Sequence, residues 1–140
     1  MILEPSRLPR HTVSFQDTPP ILLYSDAEGH DFDIGLVAYD PLEPTRRHSA
    51  SGPCPPWLLT LARRLCPDAA NDSDGMINVV EMIGALALLT TFPDLIRNRR
   101  CFMYQDNSTA FHCAITGRCN DAAVRDVGVH FHLAAAALCA

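Results

Sequence analysis

Two hydrophobic periods alternate along this chain. Ile21-Leu22-Leu23-Tyr24 is a continuous apolar run ending in Ser25-Asp26, which predicts a buried strand over 21–26 and a turn at Asp26-Ala27-Glu28-Gly29. Phe-Asp-Ile-Gly-Leu-Val-Ala-Tyr at 32–39 predicts a second strand, the hairpin partner of the first, and Gly35 within it predicts close approach by another backbone. Six prolines between 40 and 76 leave room for a short third strand near 47–51. Pro55-Pro56 opens a predicted helix over 57–65, and 68–75 reads as a polar loop. Helical spacing returns at 77–92, where Ile77, Val80, Gly84, Ala85 and Leu88 share a stripe. The small residues Gly84 and Ala85 let that helix lie close to a sheet, and Pro93 stands just past it. A strand is predicted over 101–105. Asp106-Asn107-Ser108 then supply N-cap chemistry for a helix to about 116, with Gly117 as its C-cap. Asn120-Asp121 cap a last helix over 122–139. Residues 1–20 hold four of the eleven prolines and read as a linker or tail. Residues 21–140 read as one mixed α/β domain.

Against this pattern three acids stand out. Asp26 and Asp106 each close an apolar strand, and Glu81 lies inside the apolar helical stripe. A carboxylate in such a place costs free energy unless it is paired or holds a metal. Each also has a plainer reading: Asp26 as a turn residue, Glu81 as an exposed glutamate on a rotated helix, Asp106 as an N-cap. Glu28 reads as a turn residue, Asp31 and Asp33 as solvent-facing.

Composition narrows the class. With 48% hydrophobic and 19% charged residues the chain is globular rather than disordered. The longest apolar stretch, 82–92, falls short of the roughly 18–20 residues that span a bilayer. The first residues, MILEPSRLPRHT, lack a signal peptide's apolar core. The expectation is an intracellular protein, cytoplasmic or nuclear, neither secreted nor membrane-bound. A net charge of −5 argues mildly against a generic nucleic-acid coat but not against a nuclease, since bound cations reverse the local charge. The eleven basic residues are all arginine, grouped at 46–47, 63–64 and 97, 99 and 100, which suits bidentate phosphate contacts or a solvated surface. The six cysteines contain no CxxC pair and read as free structural thiols. A zinc site from His112, Cys113, Cys119 and His130 or His132 lacks standard ligand spacing.

The ordered pieces YSDAEG (24–29), FDIGLVAYD (32–40), PPW (55–57), INVVEMIGALALL (77–89) and RNRRCFMYQDNSTAFHCAITGRCND (97–121) resemble the ribonuclease H-like fold. The resemblance is nearest to the RNase H domain of retroelement reverse transcriptases and covers about 21–139. It implies a mixed sheet flanked by helices and a catalytic, metal-binding trio Asp26, Glu81 and Asp106. It also implies two Mg2+ ions, replaceable by Mn2+, with Asp26 between both and Glu81 and Asp106 each holding one side. The implied substrate is an RNA–DNA hybrid whose RNA strand is cleaved, and the implied partner is the polymerase part of a reverse transcriptase. Asn107, Ser108 and Thr109, at a helix start, are implied contacts to the uncleaved strand, and Asn78 a contact to the hybrid's minor groove.

The chain departs from the family in one respect. The family continues with a further strand and a closing helix or loop that brings a fourth acid, sometimes with a histidine. This sequence stops at Ala140. Asp121 and Asp126 do not match the fourth position, and His130 and His132 read as packing or surface residues. The expectation is therefore a C-terminally incomplete domain with an exposed sheet edge. The competing reading is a catalytically inactive remnant or connection-type domain serving nucleic-acid binding or structure. An aspartic-protease half built on Asp26 is disfavoured, because Asp-Ala-Glu-Gly stands where that chemistry wants Asp-Thr/Ser-Gly.

Overall fold

The computed structural model describes residues 18–65, 73–119 and 121–139. Most of the predicted tail, part of the predicted 68–75 loop, and Cys66 lie outside them. Strand β1 (Ile21–Ala27) pairs antiparallel with β2 (Asp33–Tyr39), and β2 pairs antiparallel with β3 (Arg47–Pro53). Helices α1 (Pro56–Leu65), α2 (Ser73–Thr91) and the single turn α3 (Pro93–Ile96) precede β4 (Cys101–Tyr104). Strand β4 runs parallel to β1, giving the sheet order β3-β2-β1-β4. Helices α4 (Ser108–Thr116) and α5 (Ala122–Leu138) follow. The architecture is thus mixed α/β, with a four-stranded mixed sheet. Among the described residues no helix is long and apolar enough to cross a membrane.

Alternation along the strands sorts the two faces. Ile21, Leu23, Ser25, Ile34, Leu36 and Ala38 are buried on the helix side, whereas Tyr24, Asp26 and Val37 are exposed on the other. This is the period-2 pattern of a sheet with one covered face. Helix α2 packs against β1 and β2 on the covered side and also contacts α1, α4 and α5. Its burial is wider than the predicted stripe: Met76, Val79, Val80, Met82, Ile83, Ala85, Leu88 and Leu89 are all buried. A helix walled in by both a sheet and other helices needs apolar residues nearly all round. A Cβ added at Gly84 would meet Ser25 Cβ at 3.4 Å, so the helix backbone lies one methyl group from β1, as its small residues predicted.

Several boundaries differ from expectation. Helix α2 starts at Ser73, so 73–75 are helical rather than loop; serine and aspartate are residue types that suit helix starts. Pro93 does not merely end the preceding helix. It sits in the first turn of α3, where its missing N–H is no loss. Gly35 has nothing within 4 Å of where a Cβ would be, so beyond its sheet partners Asp26 and Ser51 no backbone closes over it; it leaves open space on the exposed face instead. The capping predictions held. Asn107 Oδ1 accepts from Ala110 N–H at 2.9 Å, Gly117 adopts φ 66°, and Asp121 Oδ1 accepts from Ala123 and Val124 N–H.

At the end of the sheet where β1 begins, Arg99 binds the buried Asp40 with both terminal nitrogens, at 3.0 and 3.2 Å, and donates to the Pro19 carbonyl at 3.0 Å. The Arg99 hydrogen bonds hold the Asp40 carboxyl below the usual aspartate range. Arg99 therefore ties β2 to the approach of β4 and is not a spare phosphate-binding group. The five described cysteines, Cys54, Cys101, Cys113, Cys119 and Cys139, are free thiols. Cys113 packs so tightly that a Cβ at Gly128 would come within 2.7 Å of its Sγ, which holds α4 close to α5.

Candidate metal centre

The far end of the sheet gathers the three acids. Asp26 is the penultimate residue of β1, Glu81 lies in the middle of α2, and Asp106 follows β4 by two residues. Because β1 and β4 are parallel neighbours, their C-terminal ends lie together. Helix α2 crosses beneath with Gly84 against Ser25, and Glu81, one turn earlier, reaches the same point. One carboxylate oxygen from each residue lies within 4.8 Å of the others. That separation is of the order of the oxygen–oxygen span across one octahedral ion, about 4 Å at 2.0–2.1 Å per bond. Asp26 and Asp106 are exposed and Glu81 is 4% exposed.

Electrostatics make Glu81 the unusual member. Its Oε1 accepts a long bond, 3.3 Å, from Ala27 N–H, and its Oε2 is buried with no partner. Among the described residues no cationic side chain forms an ion pair with any of the three acids. Burial, then repulsion from Asp106 and Asp26, pushes the Glu81 carboxyl up to about 7, against the opposing hydrogen bonds from Ala27 N–H and the Gln105 side chain. A buried, orphaned carboxylate oxygen beside two further carboxylates is an arrangement that a cation would satisfy. The donor set is all oxygen and anionic, which suits a hard cation better than a soft one.

The plainer readings of the three acids do not describe this structure. Glu81 is buried, and Asn107 rather than Asp106 caps α4. Asp26 is still in β1, and the turn beyond is made by Glu28, whose carboxylate accepts from His30 and Asp31 N–H at 2.8 Å. Asp31 and Asp33 are exposed. His132 Nε2 lies 3.3 Å from the Cys113 carbonyl, and His130 is exposed. Among the described residues Asp26, Glu81 and Asp106 are the acid, histidine or cysteine cluster with metal-binding spacing.

The other site candidates fall into two groups. Asn78 and Asn107 meet: Asn107 Nδ2 donates to Asn78 Oδ1 at 2.8 Å, while Asn107 Oδ1 caps α4. Their amides join α2 to α4 beside the acids. Ser108 and Thr109 line a separate cavity of about 390 Å3 with His112, Arg118 and Asp121. Beside Asp26 and Asp106 an open cleft of about 740 Å3 runs over the exposed sheet face, floored by Tyr24, Gly35, Val37, Ser49, Ser51 and Tyr104. Tyr24 and Tyr104, paired across β1 and β4, stack at 4.7 Å with 7° between their planes.

Sequence reasoning missed Gln105. It bonds the Glu81 backbone through Nε2 at 3.1 Å and leaves its Oε1 buried without a partner. Its one signal was a polar residue between an apolar strand and a suspected ligand. Compared with known proteins, the chain matches no protein-family model, no curated protein and no solved structure.

Proposed function

We propose that this chain is a divalent-metal-dependent nuclease of the ribonuclease H-like class, cleaving the RNA strand of RNA–DNA hybrids within a reverse-transcribing element. The observation that carries the proposal is the meeting of Asp26, Glu81 and Asp106 within 4.8 Å, with the buried Glu81 Oε2 unpartnered. The trio is the one that the sequence resemblance marks as catalytic, and the mixed sheet accords with that class.

Asp26, Glu81 and Asp106 would hold the cation. When bound, divalent ions supply Lewis-acid stabilisation of phosphate oxygens and lower the pKa of attacking water. The chain's own contribution is position and charge. Asp26 is held in register opposite Gly35 of β2, two residues past the last β1–β4 pair, so its backbone is fixed from one side and its other side opens toward Asp106. Glu81, held from below by Ala27 N–H, presents a carboxylate whose burial disfavours ionisation until a cation arrives. Asp106 and Asp26 border the 740 Å3 cleft, where the absence of a side chain at Gly35 leaves room next to Asp26. Asn78, Asn107, Ser108 and Thr109 provide short polar groups within α2 and at the start of α4 for contact with the sugar-phosphate backbone. The reading implies an intracellular site of action alongside the polymerase part of the element.

The test is cleavage of an end-labelled RNA–DNA hybrid with Mg2+ or Mn2+. Metal-dependent cutting of the RNA strand is expected, reduced roughly a hundredfold or more by Asp26→Asn or Asp106→Asn. Equal background in wild type and variants would contradict the enzymatic reading. Cation binding without cleavage would point to the competing role, a centre that serves nucleic-acid binding or structure.

A further inference from the structure

We infer that Gln105 is a positioning residue for the metal centre, setting the distance between Glu81 and Asp106; the inference rests on the divalent-cation reading of the three acids. Two ties hold Glu81 to the sheet. From β1, Ala27 N–H reaches its side chain at 3.3 Å; from the end of β4, Gln105 Nε2 reaches its backbone carbonyl at 3.1 Å. Ala27 is the neighbour of Asp26 and Gln105 the neighbour of Asp106. Each tie therefore lies one residue from another member of the trio, and together they fix the helical acid against both strand acids. A carbonyl inside a helix has a second lone pair free for such a bond.

Stability alone does not account for glutamine here. Its Oε1 is buried with no hydrogen-bond partner, and a half-satisfied buried amide is worse for folding than an apolar side chain of the same length. The same neighbourhood holds two more orphaned buried oxygens, Ser25 Oγ and Glu81 Oε2. Polar groups that weaken the fold and cluster at one point are expected where function sets the sequence. Outer partners that orient metal ligands commonly matter about 10- to 100-fold in metal affinity.

The experiment is Mn2+ titration of the whole chain, followed by calorimetry or by the spin-resonance signal of free Mn2+, with thermal unfolding measured on the metal-free protein. Gln105→Met keeps the side-chain length and removes both the donor and the orphaned oxygen. We expect Mn2+ affinity to fall about tenfold or more while the metal-free unfolding temperature stays at or above that of wild type. Gln105→Asn, whose amide is too short to reach the Glu81 carbonyl, should show the same loss of affinity. In a Glu81→Gln background, Gln105→Met should cost less than about twofold, since its effect passes through Glu81. Affinity within twofold of wild type for both variants, or an equal loss in the Glu81→Gln background, would overturn the inference and leave the cation reading standing. Wild type that binds no Mn2+ would instead overturn the cation reading, and this inference with it.

Discussion

At one end of the sheet Asp40 closes β2 with an arginine bound across both its oxygens. At the other, Asp26, Asp106 and Glu81 face one another, and among the described residues no cationic side chain pairs with them. Burial does not separate the two ends, since Asp40 is 5% exposed and Glu81 4%. The difference lies in what compensates the charge. Arg99 holds the Asp40 carboxyl below its usual range, whereas desolvation and the neighbouring acids push Glu81 up to about 7. A buried acid given a partner from its own chain is part of the scaffold. A buried acid set beside two others and left without one suits a cation from solution.

The comparison breaks most visibly at the scaffold end. Asp40→Ala leaves Arg99 half-buried without its partner and should cost about 3 kcal/mol. For a chain of this size that is an unfolding temperature lower by about 10 °C. Mn2+ affinity should stay unchanged, because the trio is at the opposite end. A comparable loss of affinity in a calorimetric titration would mean that the two ends are not independent.

At the trio the same kind of change should have the opposite sign. Glu81→Gln keeps an acceptor for Ala27 N–H, removes the buried charge and gives Asp26 and Asp106 a donor. Metal-free protein at pH 8 should gain on the order of 2 kcal/mol while binding the cation more weakly but still measurably, as thermal melts with and without Mg2+ would report. The pH dependence follows. Asp40, with a lowered pKa, contributes stability that is present above the ordinary aspartate range and is lost as pH falls through it. Glu81, with a raised pKa, binds more protons folded than unfolded between about 4.5 and 7, so its contribution is lost as pH rises through that window. Metal-free protein should therefore be most stable on the acid side of neutrality. Saturating Mg2+ should restore stability above pH 7, since binding requires the deprotonated carboxylate. A flat metal-free melting profile between pH 5 and 8 would remove Glu81 from this account.

How far this contrast was legible in the sequence depends on whether the signal was local. Asp26, Glu81 and Asp106 were visible because a carboxylate in an apolar strand or helix breaks the pattern at its own position. Asn107, Gly117 and Asp121 were visible because capping is a short-range bond. Asp40 gave the same strand-closing signal as Asp26 and went unread, because its partner Arg99 stands 59 positions away and looked like one of a surface arginine group. Gln105 was hidden for the same reason: its bond to Glu81 spans 24 positions. Gly35 was misread because a strand glycine signals either close approach or open space, and only the neighbouring strands decide which.

Two smaller effects sharpen the picture. Asn107→Ala removes the cap on α4 and the Asn78 bond, and should cost about 1 kcal/mol, measurable by denaturant melt. Gly35→Ala meets nothing within 4 Å and should change stability by less than about 1 kcal/mol in the stabilising direction. If the cleft beside Asp26 receives substrate, the same methyl group should raise KM for the hybrid without changing Mn2+ affinity.

The central claim is that Asp26, Glu81 and Asp106 form one divalent-cation centre. Calorimetric titration of Mn2+ into the wild-type chain and into Asp26→Asn and Asp106→Asn tests it most directly. The account predicts saturable binding in wild type at pH 8 that either substitution abolishes. Absence of binding at millimolar Mn2+, or equal binding in all three proteins, would contradict it.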